Sequence, residues 1–168
     1  MKKLLVLFCI LLTSHVYSDR AHVGYVTGEL DSGAFSIDID GFRLGYQFVI
    51  DENFTAQVDF ASIEGETAVS GTAIDLEGES FAVSIRPLLF GTGDVNIYGI
   101  IGYNTIEYTI TAPALGTSAD ADEDDIIYGI GAAFAMTETI DAVLEWQSYY
   151  DDDDDEIDAV YLGLSSDL

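Results

Sequence analysis

The stretch Gly41-Phe42-Arg43-Leu44-Gly45-Tyr46-Gln47-Phe48-Val49-Ile50 alternates large apolar side chains with small or polar ones. Phe42, Leu44, Tyr46, Phe48 and Ile50 share one face, and Arg43, Gly45, Gln47 and Val49 share the other. A period of two is the spacing of a strand with two unlike faces. The polar turn Asp51-Glu52-Asn53 follows, and the pattern restarts with Phe54, Ala56, Val58 and Phe60 against Thr55, Gln57, Asp59 and Ala61. Two such runs joined by a short turn predict an antiparallel hairpin.

The same alternation recurs along the chain. Phe81, Val83 and Ile85 oppose Ala82, Ser84 and Arg86. Ile126, Tyr128, Ile130, Ala132 and Phe134 oppose Gly129, Gly131, Ala133 and Ala135. Ala142, Leu144 and Trp146 oppose Asp141, Val143, Glu145 and Gln147, and Val160, Leu162, Leu164 and Leu168 oppose Tyr161, Gly163, Ser165 and Asp167. The segment 95–111, with Tyr98, Tyr103 and Tyr108, has ambiguous parity, and a first strand near 21–30 carries Val23 and Tyr25. Eight strands fit. Short polar turns at 51–53, 91–94 and 137–139 alternate with acidic, Gly/Ser/Ala/Thr-rich stretches near 30–38, 64–79, 111–125 and 150–156, which the pattern predicts as long loops. Tight turns at one end and long loops at the other are the habit of an up-and-down barrel crossing an outer membrane.

The composition says which face meets what. The faces opposite the bulky residues hold Gly, Ala, Ser, Gln and single charges, which suits a narrow lumen, with the bulky side toward lipid. A soluble sheet would reverse this sense. Only a closed barrel hides every strand edge from lipid. The lipid-facing set predicted by parity is Phe42, Leu44, Tyr46, Phe48, Phe54, Val58, Phe60, Leu144, Trp146, Leu162 and Leu164. Tyr98, Phe134, Tyr149 and Tyr150, with Tyr46, Phe48, Phe54 and Trp146, lie near strand ends and suit interfacial girdles.

Lys2 and Lys3, the apolar run Leu4–Leu12 and the small residues Val16 and Ser18 form a charged, an apolar and a cleavage region. They read as a secretory signal over residues 1–18, leaving a barrel domain over 19–168. Cys9 lies within the apolar run, so the exported chain has no thiol chemistry. All 31 Asp and Glu follow Ser18, and loss of the two lysines deepens the formal charge from −26 to −28. Such a surface excludes nucleic acid as a partner. Mean hydropathy is nevertheless +0.25, so charge and apolar surface must be segregated in space.

Several motifs in this order resemble the OmpA/OmpX-type eight-stranded outer-membrane barrel family. They are Gly45-Tyr46-Gln47-Phe48, Asp94-Val95-Asn96-Ile97-Tyr98, Tyr128-Gly129-Ile130-Gly131-Ala132-Ala133-Phe134, Met136-Thr137-Glu138-Thr139-Ile140 and Leu144-Glu145-Trp146-Gln147. The final run, from Val160 to Leu168, is similar to the family's closing strand, which the barrel assembly machinery recognises. The resemblance implies a monomer in the outer membrane among lipid and lipopolysaccharide, with no cofactor.

Arg43 and Arg86 share the lumen face with Asp59, Glu145 and Gln147. An ionised group in a narrow lumen needs partners, so these five are expected to form a charge network that plugs the barrel. Ala133 and Val143 stand where the family's pattern implies further lumen charges. The acidic runs Asp120–Asp125 and Asp151–Glu156 are expected in external loops, and Asp151, Asp153 and Asp155 are oxygen-ligand candidates for divalent cations. His22, the only histidine after the signal, is expected at the periplasmic end, where it makes no catalytic pair. The expected function is a non-enzymatic envelope protein with adhesin-like loops. A narrow porin and a secreted soluble barrel that binds a small apolar ligand are the alternatives.

Overall fold

A computed structural model describes residues 19–33, 35–152 and 155–168, with the backbone alone for Tyr150–Asp152 and Asp155. The signal reading over residues 1–18 and the side chains of Asp151, Asp153 and Asp155 lie outside the described residues. The strands are β1 (Arg20–Asp31), β2 (Ser36–Val49), β3 (Phe54–Val69), β4 (Thr72–Gly91), β5 (Val95–Ala112), β6 (Thr117–Ala135), β7 (Ile140–Asp152) and β8 (Asp155–Asp167). They close in sequence order into one antiparallel barrel, β8 pairing back to β1. This is the eight-stranded up-and-down architecture expected from the alternation.

The turns at one end are held by their own side chains. The Asp51 carboxylate accepts the backbone N–H groups of Asn53 (2.7 Å) and Phe54 (2.9 Å). Thr137 Oγ1 accepts those of Thr139 and Ile140. Short Asx and Thr turns of this kind fix the hairpin register.

At the other end the expected loops prove to be mostly strand. β3 and β4 stay paired out to Val69↔Thr72, leaving a two-residue turn in which Ser70 (φ 52°) and Gly71 (φ 83°) both adopt positive φ. That geometry matches the twist of the strands it joins. Asp120–Asp125, expected in a loop, lies within β6 and pairs residue by residue with β5, from Thr109↔Asp120 to Asn104↔Asp125. A short 3-10 turn, Pro113–Leu115, caps this hairpin. Gly, Ser and acidic residues favour loop locally, but pairing with β5 holds this acidic stretch as strand.

This extra strand length has a consequence for packing. A tilted strand needs about 9–11 residues to cross a bilayer, yet β4 has 20. The surplus forms a second storey in which inside and outside exchange roles. In β2, Ile37 and Ile39 are buried inward while Asp38 and Asp40 face out; past Gly41, Arg43 is buried inward while Phe42 and Leu44 face out. The same switch occurs in β4, where Leu76 points in and Glu77 and Glu79 point out, before Phe81, Val83 and Ile85 take over the outer face. In β6 the outer face alone changes, Asp120, Asp122 and Asp124 giving way to Ile126, Tyr128 and Ile130, while Glu123 and Asp125 take the opposite parity. The apolar core therefore lies inside the upper storey, built from Val26, Leu30, Ile37, Ile39, Ile63, Leu76, Ile106, Ile127 and Ile157. The polar lumen expected from the alternation near the turns is confined to the lower storey, where it also holds the large rings of Tyr98, Tyr149 and Tyr161.

The boundary can be located chemically. With single cysteines in reconstituted vesicles, Asp40→Cys should react with a membrane-impermeant maleimide and Leu44→Cys should not. Equal labelling of the two would place the water boundary elsewhere.

Candidate functional site: the barrel interior

The lower lumen is organised around two carboxylates. Glu145 on β7 pairs with the guanidinium groups of Arg43 (β2) and Arg86 (β4). It also accepts Tyr98 Oη–H at 2.6 Å and the Gln147 amide at 2.8 Å. Asp59 on β3 meets the His22 ring at 2.6 Å and accepts from Gln57 at 2.8 Å. It also lies 3.5 Å from Arg43 Nε and 3.7 Å from an Arg86 nitrogen. Arg43 donates to Tyr149 Oη at 3.1 Å, and its guanidinium stacks 3.7 Å above the Tyr161 ring. At the turn end, Arg20 bridges Asp141 and, at 2.7 Å, Asp167. Two guanidinium groups facing two carboxylates balance in charge. Without that balance, ionised side chains with the 0–5% exposure seen here would be held out of water at great cost.

The barrel thus brings Arg43, Asp59, Arg86, Glu145 and Gln147 into one cluster. His22, Gln57, Tyr98, Tyr149 and Tyr161 join them, none of which the charge pattern singled out. Tyr98 and Tyr149, read as girdle aromatics, are instead 8% and 6% exposed inside the barrel. The lipid-side set divides more finely. Phe42, Leu44, Phe54, Leu144, Trp146, Leu162 and Leu164 are exposed on the outer face, and Tyr46, Val58 and Phe60 are half-buried there. Phe48 has the same parity yet is only 6% exposed, with its ring 4.7 Å from that of Tyr46.

Glycine decides who reaches whom. Tyr98 on β5, Gly131 on β6 and Glu145 on β7 form one cross-strand row, and Tyr98 reaches over Gly131 to Glu145. A Cβ at Gly131 would lie 2.5 Å from the Tyr98 ring. His22, Gly45 and Asp59 repeat the device across β1, β2 and β3, and a Cβ at Gly45 would collide with the His22 ring. A polar side chain two strands from a partner, with glycine between, is a signal the sequence held, but it becomes legible only once the register is known.

Below the network a vestibule of about 270 Å³ opens toward the turns, lined by Arg20, His22, Gln57, Arg86, Glu145 and Ser165, and by Ala133 and Val143 on its apolar side. Above it the aliphatic core leaves a cavity of only about 10 Å³ among Val26, Ile39, Ile63, Ile106 and Ile157. Among the described residues, no group of three or more His, Cys, Asp or Glu could hold a metal ion.

A closed barrel with an apolar belt outside and a neutralised charge cluster inside is an integral outer-membrane β-barrel. The chain belongs to the outer membrane protein beta-barrel domain family, whose model matches residues 4–166. Its fold is similar to that of Ail, the attachment invasion locus protein of Yersinia pestis, with 18% identity, a TM-score of 0.69 and coverage of 91% of this chain and 100% of that one. Neisserial surface protein A is 14% identical with a TM-score of 0.72, over 89% and 97% of the two chains. The N-terminal barrel domain of Pseudomonas aeruginosa OprF is 18% identical with a TM-score of 0.52, over 88% and 97%. No curated protein sequence matches the chain. Membership of this family indicates the bacterial outer membrane as its location.

Removing one partner of the network should leave buried charge behind. Glu145→Leu strands two guanidinium groups and should cost about 3–5 kcal/mol of unfolding free energy in urea titrations from lipid vesicles. Gln147→Ala, which removes one hydrogen bond, should cost about 1.5–3 kcal/mol. Equal losses would mean that Glu145 is not the hub.

Proposed function

We propose that this protein is a sealed, non-enzymatic outer-membrane barrel whose function resides in the acidic sheet it raises above the membrane. The observation that carries this reading is the exchange of inside and outside at the rim. One and the same exchange fills the upper lumen with aliphatic side chains and turns carboxylates outward. A narrow porin, the alternative, requires a wet path where Leu30, Ile37, Ile39, Ile63, Leu76 and Ile106 are packed. Under this reading residues 1–18 direct export and are removed, and residues 19–168 are inserted by the barrel assembly machinery as a monomer. Arg43, Asp59, Arg86, Glu145 and Gln147 then act as a structural plug. Lipid and lipopolysaccharide surround the outward apolar belt.

The raised sheet has a feature suited to adhesion. Among the described residues β6 pairs with β7 only from Ala135↔Asp141 to Tyr128↔Ser148. From Thr117 to Asp124 it pairs with β5 on one side and with no strand on the other. An open edge can accept an added strand from a partner. Glu64, Glu77, Glu79, Glu107, Asp120 and Asp122 line an outer groove of about 720 Å³ beside it. Ail of Yersinia pestis is known in complex with the heparin analogue sucrose octasulfate. The carboxylate surface here favours the opposite charge, so the partner on this reading is a cationic, extended polypeptide segment.

In planar bilayers the protein should be electrically silent, and replacing Ile39, Ile63 and Ile106 together by Gly should introduce small conductance steps. Steady conductance by the native barrel would favour the porin alternative. A peptide alternating Lys with Val or Thr should bind the reconstituted barrel at low salt and lose affinity steeply as salt rises. Asp120→Asn with Asp122→Asn and Asp124→Asn should weaken binding about tenfold, and immobilised heparin should retain none of these forms. Heparin binding, or an unchanged triple variant, would overturn the cationic-partner reading.

A further inference from the structure

Two buried side-chain oxygens at the rim have no hydrogen-bond partner: Ser148 Oγ and Asp158 Oδ1. The ladder sets them against each other. Ser148 pairs with Asp158 across β7 and β8, and Asp158 pairs with Glu29 across β8 and β1. Side chains directly opposite one another share a face, with Cβ atoms about 4.5–5.5 Å apart. Ser148, Asp158 and Glu29 therefore form one outward row. It lies one step above the Trp146↔Val160 pair, where the apolar belt begins. Ser148 is 1% exposed, and Tyr128 is its ladder partner on the far side. A bulge between Ser148 and Tyr150 follows at once, and bulges re-aim the side chains beside them.

The chain brings no cation to this row. Arg20, His22, Arg43 and Arg86, its only basic residues after position 18, are engaged with Asp141, Asp167, Asp59 and Glu145 in the lumen. Glu29 accepts the Ser36 hydroxyl with one oxygen and keeps the other. Buried polar atoms are satisfied in folded proteins, by solvent or ions where the chain supplies nothing. Two carboxylates and a hydroxyl are hard oxygen donors, the ligand type of Ca²⁺ and Mg²⁺.

We propose that Ser148, Asp158 and Glu29 form a divalent-cation site at the outer rim, with water or a lipid phosphate oxygen completing the coordination shell. The site stands apart from the open edge of β6 and does not depend on the partner proposed above. Its position at the top of the apolar belt lets a bound cation link the acidic collar to anionic lipid.

Terbium(III) is a suitable probe, because Tyr128 and Trp146 flank the row and can sensitise its emission. The full barrel, folded in phosphatidylcholine vesicles, should give a saturable emission component that Ca²⁺ displaces. Asp158→Asn should weaken terbium affinity at least tenfold and Ser148→Ala several-fold. Glu64→Gln with Glu77→Gln, on the same acidic surface but away from the row, should leave the component unchanged. Heat-modifiable gel mobility confirms that each variant is folded. Absence of a saturable component would overturn the site, as would wild-type titration of both Asp158→Asn and Ser148→Ala. An equal loss in the Glu64/Glu77 variant would overturn it too, by showing a diffuse counter-ion layer.

Discussion

An eight-stranded barrel encloses little more than the width of its own side chains, so every inward group must be satisfied by inward groups from other strands. Everything else in this protein follows from how that constraint is met. In the lower storey it is met electrostatically: Glu145 takes two guanidinium groups, a phenol and an amide, and Asp59 takes an imidazole and an amide. In the upper storey it is met by aliphatic packing around Ile37, Ile39, Leu76 and Ile106.

The choice between the two follows the surroundings. Where lipid bathes the outside, the apolar side chains are taken up by the outer face and the charges go in, paired. Where water bathes the outside, carboxylates face out and the apolar groups return to the interior, as in a soluble barrel. The segregation required by a chain that is both acidic and hydrophobic is thus vertical as well as radial. The alternation runs unbroken through the switch in β2 and β4; only the chemistry assigned to each face changes, at Gly41 and between Glu79 and Phe81.

The interior network shows where sequence reading stops. Arg43, Asp59, Arg86, Glu145 and Gln147 could be named because a charge within an alternating strand has one side to go to. Tyr98 and Tyr149 are not legible as lumen residues because an aromatic ring suits an interface as well as a lumen, and parity in β5 is ambiguous. Tyr149 continues the inward parity of Glu145 and Gln147, and its hydroxyl meets Arg43 in the lumen. The partner of His22 is hidden in the sequence, since Asp59 lies two strands away across Gly45.

The sequence by itself determined the strands, their number, the turn ends and the face that carries bulky side chains, because period-two alternation and turn chemistry are local. It also settled that charge and apolar surface must be separated. Only the tertiary structure decided that the acidic stretches are strand rather than loop and that aliphatic side chains fill the upper lumen. It also decided which carboxylate holds which guanidinium. Those outcomes depend on register between strands distant in sequence, and register is fixed by closure of the whole ladder rather than by any one segment.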